Sequence, residues 1–435
     1  MNRRTFLKMA GVGSVSVAAG CTSQPEKTIY ALVQAPDDTV TGKALWYAST
    51  CRECPAGCGV LARSREGRVV KVEGNPLHPI NQGTLCMRGQ AAVQAVYHPD
   101  RLKTPQLKEN GAWRTLSWAE AEALLREKAR AAAETGGVRV VTEVVGESLG
   151  ALLGEALDRW QSPPPLVFEP FAYEALKTAN RMAFGVDGLV SYRLEQADLL
   201  VSLGADFLET WLSPVEYARQ FKAMHGLQVG RKGFFAHIAP CQSLTAANAD
   251  LWLACRPGGE AAVALGLIRH ALESGRGEHL PAPLRQALAA ESTPYSPEKV
   301  AETAGIPVEA LERLAARLLA AEAPLVLGTA TAGSGAADVG ANLAANLLNR
   351  VLDPALFRID CQSRHRVETA APRAAVLAFF KQLTPESTGL LLLNNVNPVF
   401  ALPGAGIAES LAQPGVFVVS TSNFMDETSL LADLV

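Results

Sequence analysis

A run of closely set cysteines constrains this chain more than any other feature. It reads Cys51-Arg52-Glu53-Cys54-Pro55-Ala56-Gly57-Cys58-Gly59, and a fourth cysteine returns much later in Cys86-Met87-Arg88-Gly89. Such spacing lets three thiolates converge from one tight loop, with Pro55, Gly57 and Gly59 supplying the turn geometry. Soft sulfur ligands in a three-plus-one arrangement suit a cubane [4Fe-4S] cluster held by Cys51, Cys54, Cys58 and Cys86. Two other uses compete. Zinc prefers two equal Cys-x2-Cys pairs, which this pattern does not offer. A disulfide suits an exported chain, although Cys51 and Cys54 are close for an ordinary bridge and a chain of this size needs no staples.

The chain has 435 residues, enough for two to four domains and a large core. Hydrophobic residues make up 48% and charged residues 19%, which places it among globular proteins. A net charge of −3 argues against nucleic acid as a partner. No apolar run approaches the ~20 residues of a membrane span.

The first residues predict export. Arg3-Arg4-Thr5-Phe6-Leu7-Lys8 is a twin-arginine motif, followed by a weakly apolar, glycine-containing stretch to about Gly20. That route carries folded proteins, as a chain loaded with its cluster before export requires. Ala18-Ala19-Gly20-Cys21 is similar to a lipoprotein cleavage box. Cys21 is therefore the expected lipidation site, anchoring the protein at the periplasmic face of the cytoplasmic membrane. Simple signal cleavage is the alternative, because Ala18 stands where leucine is usual. The signal is read as residues 1–21 and a linker as 22–42.

Residues 43–107 read as a small β-rich domain. A strand feeds the cysteine loop, a hairpin turns at Arg65-Glu66-Gly67-Arg68, and Asn75-Pro76 and His78-Pro79 mark turns. Beyond it strands and helices alternate, which predicts α/β units with parallel sheets covered on both faces. Ser117 with Glu120 forms a helix-starting capping box, and Val138-Arg-Val-Val-Thr-Glu-Val-Val145 is a buried-type strand. Two units are expected, 108–165 with 324–435, and 166–323. Cys241, Cys255 and Cys361 read as buried small hydrophobes. His78 and His98 precede prolines and read as turn residues; Glu120 and Glu122 read as a solvated helix face.

The cysteine frame, with Val72-Glu73-Gly74-Asn75-Pro76-x-His78-Pro79 inside it and Gly83-x-x-Cys86-x-Arg88-Gly89 closing it, resembles the cluster domain of the molybdopterin (Mo/W-bis-MGD) oxidoreductases. That family includes formate dehydrogenases and nitrate, polysulfide and dimethyl sulfoxide reductases. The resemblance implies an α/β chain built as a small [4Fe-4S] domain followed by two Rossmann-like parallel-sheet units. It places Arg88 where a cation lies between cluster and pterin, as an electron relay. It also implies pterin-binding roles for Gly204, Asp206, Arg256, Gly258 and Gly259. The turns Asn394-Asn-Val-Asn397-Pro398 and Asp426-Glu427-Thr428 resemble later turns of the same family.

Departures weigh against the implied Mo/W-bis-MGD cofactor. Residues 168–177 hold no cysteine or serine where members place the metal ligand. The strand ending Ala239-Pro240-Cys241 lacks an acid for a guanine, and the family's C-terminal β-barrel is expected to be lacking. Residues 205–214 resemble molybdopterin-like subunits of alternative complex III and the quinone reductase complex, which generally lack molybdenum. The resemblance therefore implies an exported oxidoreductase subunit that carries electrons in a quinone-linked respiratory complex. Its implied partners are a ferredoxin-like multi-cluster subunit, a quinone-reactive integral membrane subunit and a multihaem cytochrome c. The alternatives are a catalytic Mo/W enzyme, or a fragment of one, acting on a small inorganic or one-carbon substrate, and a non-redox scaffold.

Overall fold

The computed structural model describes residues 40, 42–134, 137–227, 232–329 and 335–435. The twin-arginine motif, Cys21 and most of the linker lie outside the described residues. The chain first forms an antiparallel meander, β1 (Leu45–Thr50), β2 (Gly59–Arg65) and β3 (Arg68–Gly74). Its β2–β3 turn falls at the expected place, with Glu66 and Gly67 both at positive φ (49° and 76°), the backbone that matches strand twist in a two-residue hairpin. The helix Met87–Val96 follows. A second hairpin, β4 (Gln106–Glu109) and β5 (Ala112–Thr115), leads into the α/β region.

That region contributes β6 (Val138–Thr142), β7 (Leu166–Val167), β8 (Val190–Tyr192), β9 (Leu199–Leu203), β10 (Phe234–Ala239) and β11 (Leu251–Ala254). Then come β12 (Pro324–Leu327), β13 (Ile359–Arg364), β14 (Leu390–Asn394) and β15 (Phe417–Ser420). Two four-stranded sheets result, ordered β15-β14-β6-β7 and β11-β10-β9-β12, and every pairing in them is parallel. This is the expected α/β architecture. The division between units moves at both seams. Strand β7 was expected in the second unit but pairs with β6, and β12 was expected in the first but pairs with β9. Periodicity marks a strand without naming its neighbour. The unit holding β8 to β13 is thus inserted between β7 and β14 of the other.

Each central strand divides its side chains between two cores, as a period of two dictates. In β9, Leu199, Val201 and Leu203 face one buried cluster, while Leu200 faces the other with Phe235, Trp211 and Tyr217. In β6 and β14, Val141, Leu391 and Leu393 face one core, and Val138, Val140 and Leu390 the opposite one. The Ser117–Glu120 capping box forms as read. Cys255 is buried and Cys361 half-buried, but Cys241 is exposed, because it follows β10 in a surface turn instead of ending in the core. No helix among the described residues is long and apolar enough to cross a membrane.

The outer side of β12 is closed by side chains. The helix Ala336–Leu352 carries buried asparagines at 342, 346 and 349. Asn349 accepts from the Val326 N–H at 2.9 Å and donates to its carbonyl at 2.7 Å, as a neighbouring strand would. Arg358 Nε adds a bond to the Pro324 carbonyl at 3.2 Å. Substituting Asn349→Ala leaves both Val326 backbone groups unpaired in a buried setting. It is expected to cost roughly 2–4 kcal/mol in a urea-unfolding measurement.

Candidate metal centre

Cys51 follows β1 and Cys58 precedes β2, so the meander presents their loop at one end. The Cys51 N–H donates to the Cys58 carbonyl at 2.8 Å and closes the loop, and Gly57 takes a positive φ of 63° inside it. The return of the fourth cysteine depends on Asn81, which is 0% exposed. Its Oδ1 accepts from the Gly59 N–H at 2.9 Å, and its Nδ2 donates to the carbonyls of Gly59 at 2.9 Å and Thr84 at 2.7 Å. One amide thus joins the residue after Cys58 to the turn before Cys86. Glycine is required at this seam. A Cβ on Gly59 would collide with the His78 ring, and one on Gly74 with the backbone of Gly83 and Thr84. His78 is therefore a packing residue of the cluster domain. Cys86 then starts the helix Met87–Val96.

All seven described cysteines are free thiols. Burial raises the pKa of Cys51 and Cys54 and pushes Cys58 up to about 12, where the neighbouring thiols of Cys54, Cys51 and Cys86 add to the effect. The four predicted ligands are thus mutual neighbours in one partly desolvated place. Among the described residues no three His, Cys, Asp or Glu side chains meet at a point suited to a single ion. Four soft donors on fixed loops fit a cluster, in which each thiolate ends on its own iron.

Two arginines tie the cysteine loops to the α/β body. Arg52 pairs with Glu143, which follows β6. Arg88 Nη2 reaches the Glu209 carbonyl at 3.4 Å, and the guanidinium lies near enough to Cys54 to favour its thiolate. Arg88 therefore lies between Cys54 and the turn that follows β9.

The loop after β7 also approaches. Burial raises the Glu169 carboxyl above its usual range; one oxygen accepts from the Phe171 N–H at 3.2 Å. Tyr173, at φ 54°, donates its hydroxyl to the Thr210 carbonyl (3.2 Å) and accepts from the Leu212 N–H (2.7 Å). Its buried ring fills the seam beside the cysteine loop.

The five expected pterin residues share one end of the inserted sheet. Gly204 turns the chain after β9 at φ 88°. Asp206 takes a short hydrogen bond from Ser243, and the fully buried His237 stands 4.0 Å away. Arg256 donates to the Glu302 carbonyl at 2.6 Å, and Gly259 packs so tightly on Ala304 that a Cβ would lie 2.9 Å from its Cα. Those two residues hold the end of the helix Pro297–Ala304. Gly258, at φ 83°, faces open space, and Arg256 is exposed beside it.

A β-rich cysteine domain stands ahead of two nested parallel sheets, and its four thiols suit an iron–sulfur cluster. Residues 44–98 match the molybdopterin oxidoreductase Fe4S4 domain, and over most of its length the chain is similar to proteins of the molybdopterin oxidoreductase family. It is 32% identical over 412 residues to the menaquinone reductase molybdopterin-binding-like subunit of Nitratidesulfovibrio vulgaris, covering 91% of this chain and 58% of that protein. It is 34% identical over 136 residues to a nitrate reductase of Symbiobacterium thermophilum, covering 31% of this chain and 17% of that one. The chain therefore spans little more than half of the first relative and a smaller part of the second. In structure it resembles acetylene hydratase from Pelobacter acetylenicus with a TM-score of 0.66 at 16% identity, over 89% of this chain and 62% of that one. These likenesses bear out the family and the α/β fold; the named reductases among them are oxidoreductases.

Asn81 escaped the sequence reading, which took its neighbours only as turns. Asn81→Ala leaves the buried Gly59 N–H without its partner and takes one donor each from the Gly59 and Thr84 carbonyls; it is expected to destabilise the chain by roughly 1–3 kcal/mol and to lower its bound iron, which denaturation and iron analysis check. His237 predicts a pH response. Burial lowers its pKa to about 4 from an ordinary 6.5, so below pH 6.5 the unfolded chain takes up a proton that the folded chain refuses. Unfolding free energy is expected to fall as pH drops from 6.5 towards 4, by at most about 1.4 kcal/mol per pH unit for this residue. His237→Leu should flatten that slope.

Proposed function

We propose that this chain is an exported, membrane-tethered iron–sulfur subunit that carries electrons within a quinone-linked respiratory complex. One observation carries the reading: Cys51, Cys54, Cys58 and Cys86 are free thiols that act on one another electrostatically, on loops held by Asn81 and Arg52. Cys51, Cys54, Cys58 and Cys86 would hold a [4Fe-4S] cluster, which supplies one-electron transfer when bound. Desolvation favours the protonated thiols of Cys51, Cys54 and Cys58, whose protons would leave on iron binding. Arg88, beside Cys54, offers a positive charge that favours an added electron.

Similarity to a menaquinone reductase subunit supports the quinone link. On this reading the partners are a ferredoxin-like multi-cluster subunit, a quinone-reactive integral membrane subunit and a multihaem cytochrome c. The twin-arginine motif and Cys21 support export and a lipid anchor at the periplasmic face. Glu169 favours a second reading, a Mo/W-bis-MGD enzyme. It is a half-buried carboxylate near Cys54, on the segment where catalytic members carry their metal ligand.

Metal analysis separates the two. Anaerobically purified protein is expected to contain about four iron atoms per chain, with broad visible absorption and no molybdenum or tungsten. Molybdenum or tungsten near one per chain overturns the first reading in favour of the second; absence of iron overturns both. Cys58→Ser is expected to lose most of the iron, and Cys255→Ser to keep it. Arg3→Lys with Arg4→Lys should retain the protein in the cytoplasm, read by fractionation.

A further inference from the structure

Arg52 lies between two of the cysteines yet reaches away from them into the outer sheet. Its Nε and Nη2 both donate to Oε1 of Glu143. The other Glu143 oxygen accepts from Asn395 Nδ2 at 2.7 Å. Glu143 follows β6 and Asn395 follows β14, the two central strands of β15-β14-β6-β7. From β6 the chain moves outward to β7, and from β14 it moves the opposite way to β15. The gap between their C-terminal ends is therefore the switch point of the sheet, the crevice where doubly wound folds take a ligand.

Here the chain's own ion pair stands in that crevice. Asn395 adopts φ 52°, a left-handed conformation uncommon outside glycine, and its N–H is held by Thr421 Oγ1 at 3.2 Å. That turn aims the Asn395 amide at the carboxylate. Glu143 is 19% exposed and gripped from both sides, so its charge is fixed in place, whereas an ordinary surface carboxylate wanders.

We propose that Arg52, Glu143 and Asn395 form a charge-positioning clamp. It occupies the switch-point crevice of the outer sheet and sets the reduction potential of the cluster held by the adjoining cysteines. The assignment rests on the cluster reading above. Reducing the cluster adds one negative charge. The guanidinium, one residue from Cys51, favours that charge, and the carboxylate opposes it. Paired, they nearly cancel; separated, each acts with its own sign.

Redox titration of the full, iron-loaded chain, followed by electron paramagnetic resonance, tests this. Glu143→Gln is expected to raise the midpoint potential, because Arg52 is left uncompensated. Arg52→Gln is expected to lower it, and the double variant to return towards the native value. A purely structural pair would not produce opposite shifts. Unmoved potentials in both single variants, or shifts in one direction, with iron intact, overturn the clamp while leaving the cluster reading standing. If a single substitution costs the cluster, iron content of the double variant decides: recovery supports a charge effect, and equal loss overturns it. Iron-free native protein would overturn the cluster reading itself and this assignment with it.

Discussion

The bond pattern of Asn81 is the constraint on which the centre depends. Three cysteines belong to one loop and need little help to converge. The fourth arrives from a separate segment, and nothing in the meander's ladder reaches it. A single buried amide satisfies both backbone groups of Gly59 and the Thr84 carbonyl, and so fixes the path into Cys86. Gly59 and Gly74 permit the approach because any side chain there would strike His78 or the backbone of Gly83. A cluster site of this kind is a matter of loop registration as much as of ligand identity.

The same logic extends outward. The cysteine loops are seated on the body through two arginines, one to each sheet: Arg52 to the end of β6, and Arg88 to the turn after β9. Tyr173 fills the seam between them with a buried ring whose hydroxyl is hydrogen-bonded on both sides. The region that the resemblance assigns to a metal ligand here carries two carboxylates, Glu169 and Glu174, of which Glu169 lies near Cys54.

How much of this could be read in advance follows from which interactions are local. Cysteine spacing, the Glu66-Gly67 turn and the Ser117–Glu120 cap are set by neighbours in sequence, and all three lie where they were read. The membership of β7 and β12 was misread because a buried strand looks alike whichever sheet it joins. Asn81 and Asn349 were invisible because an asparagine that replaces a missing strand has no pattern of its own. Arg256 and Gly259 illustrate the opposite difficulty: a loop resembling a family's ligand loop here supports the helix Pro297–Ala304.

The nesting of one sheet within the other bears on assembly. Asn394 bonds Thr142 across 252 residues of chain, whereas the β9–β10 and β10–β11 connections are short. Closing a loop costs more entropy as it lengthens, by about 0.6 kcal/mol for each doubling of a flexible chain. Prior folding of the inserted unit shortens the effective tether and brings β6 and β14 within reach. The socket that receives Arg52, made from the ends of those two strands, therefore depends on the closure of the longest loop in the chain's outer sheet.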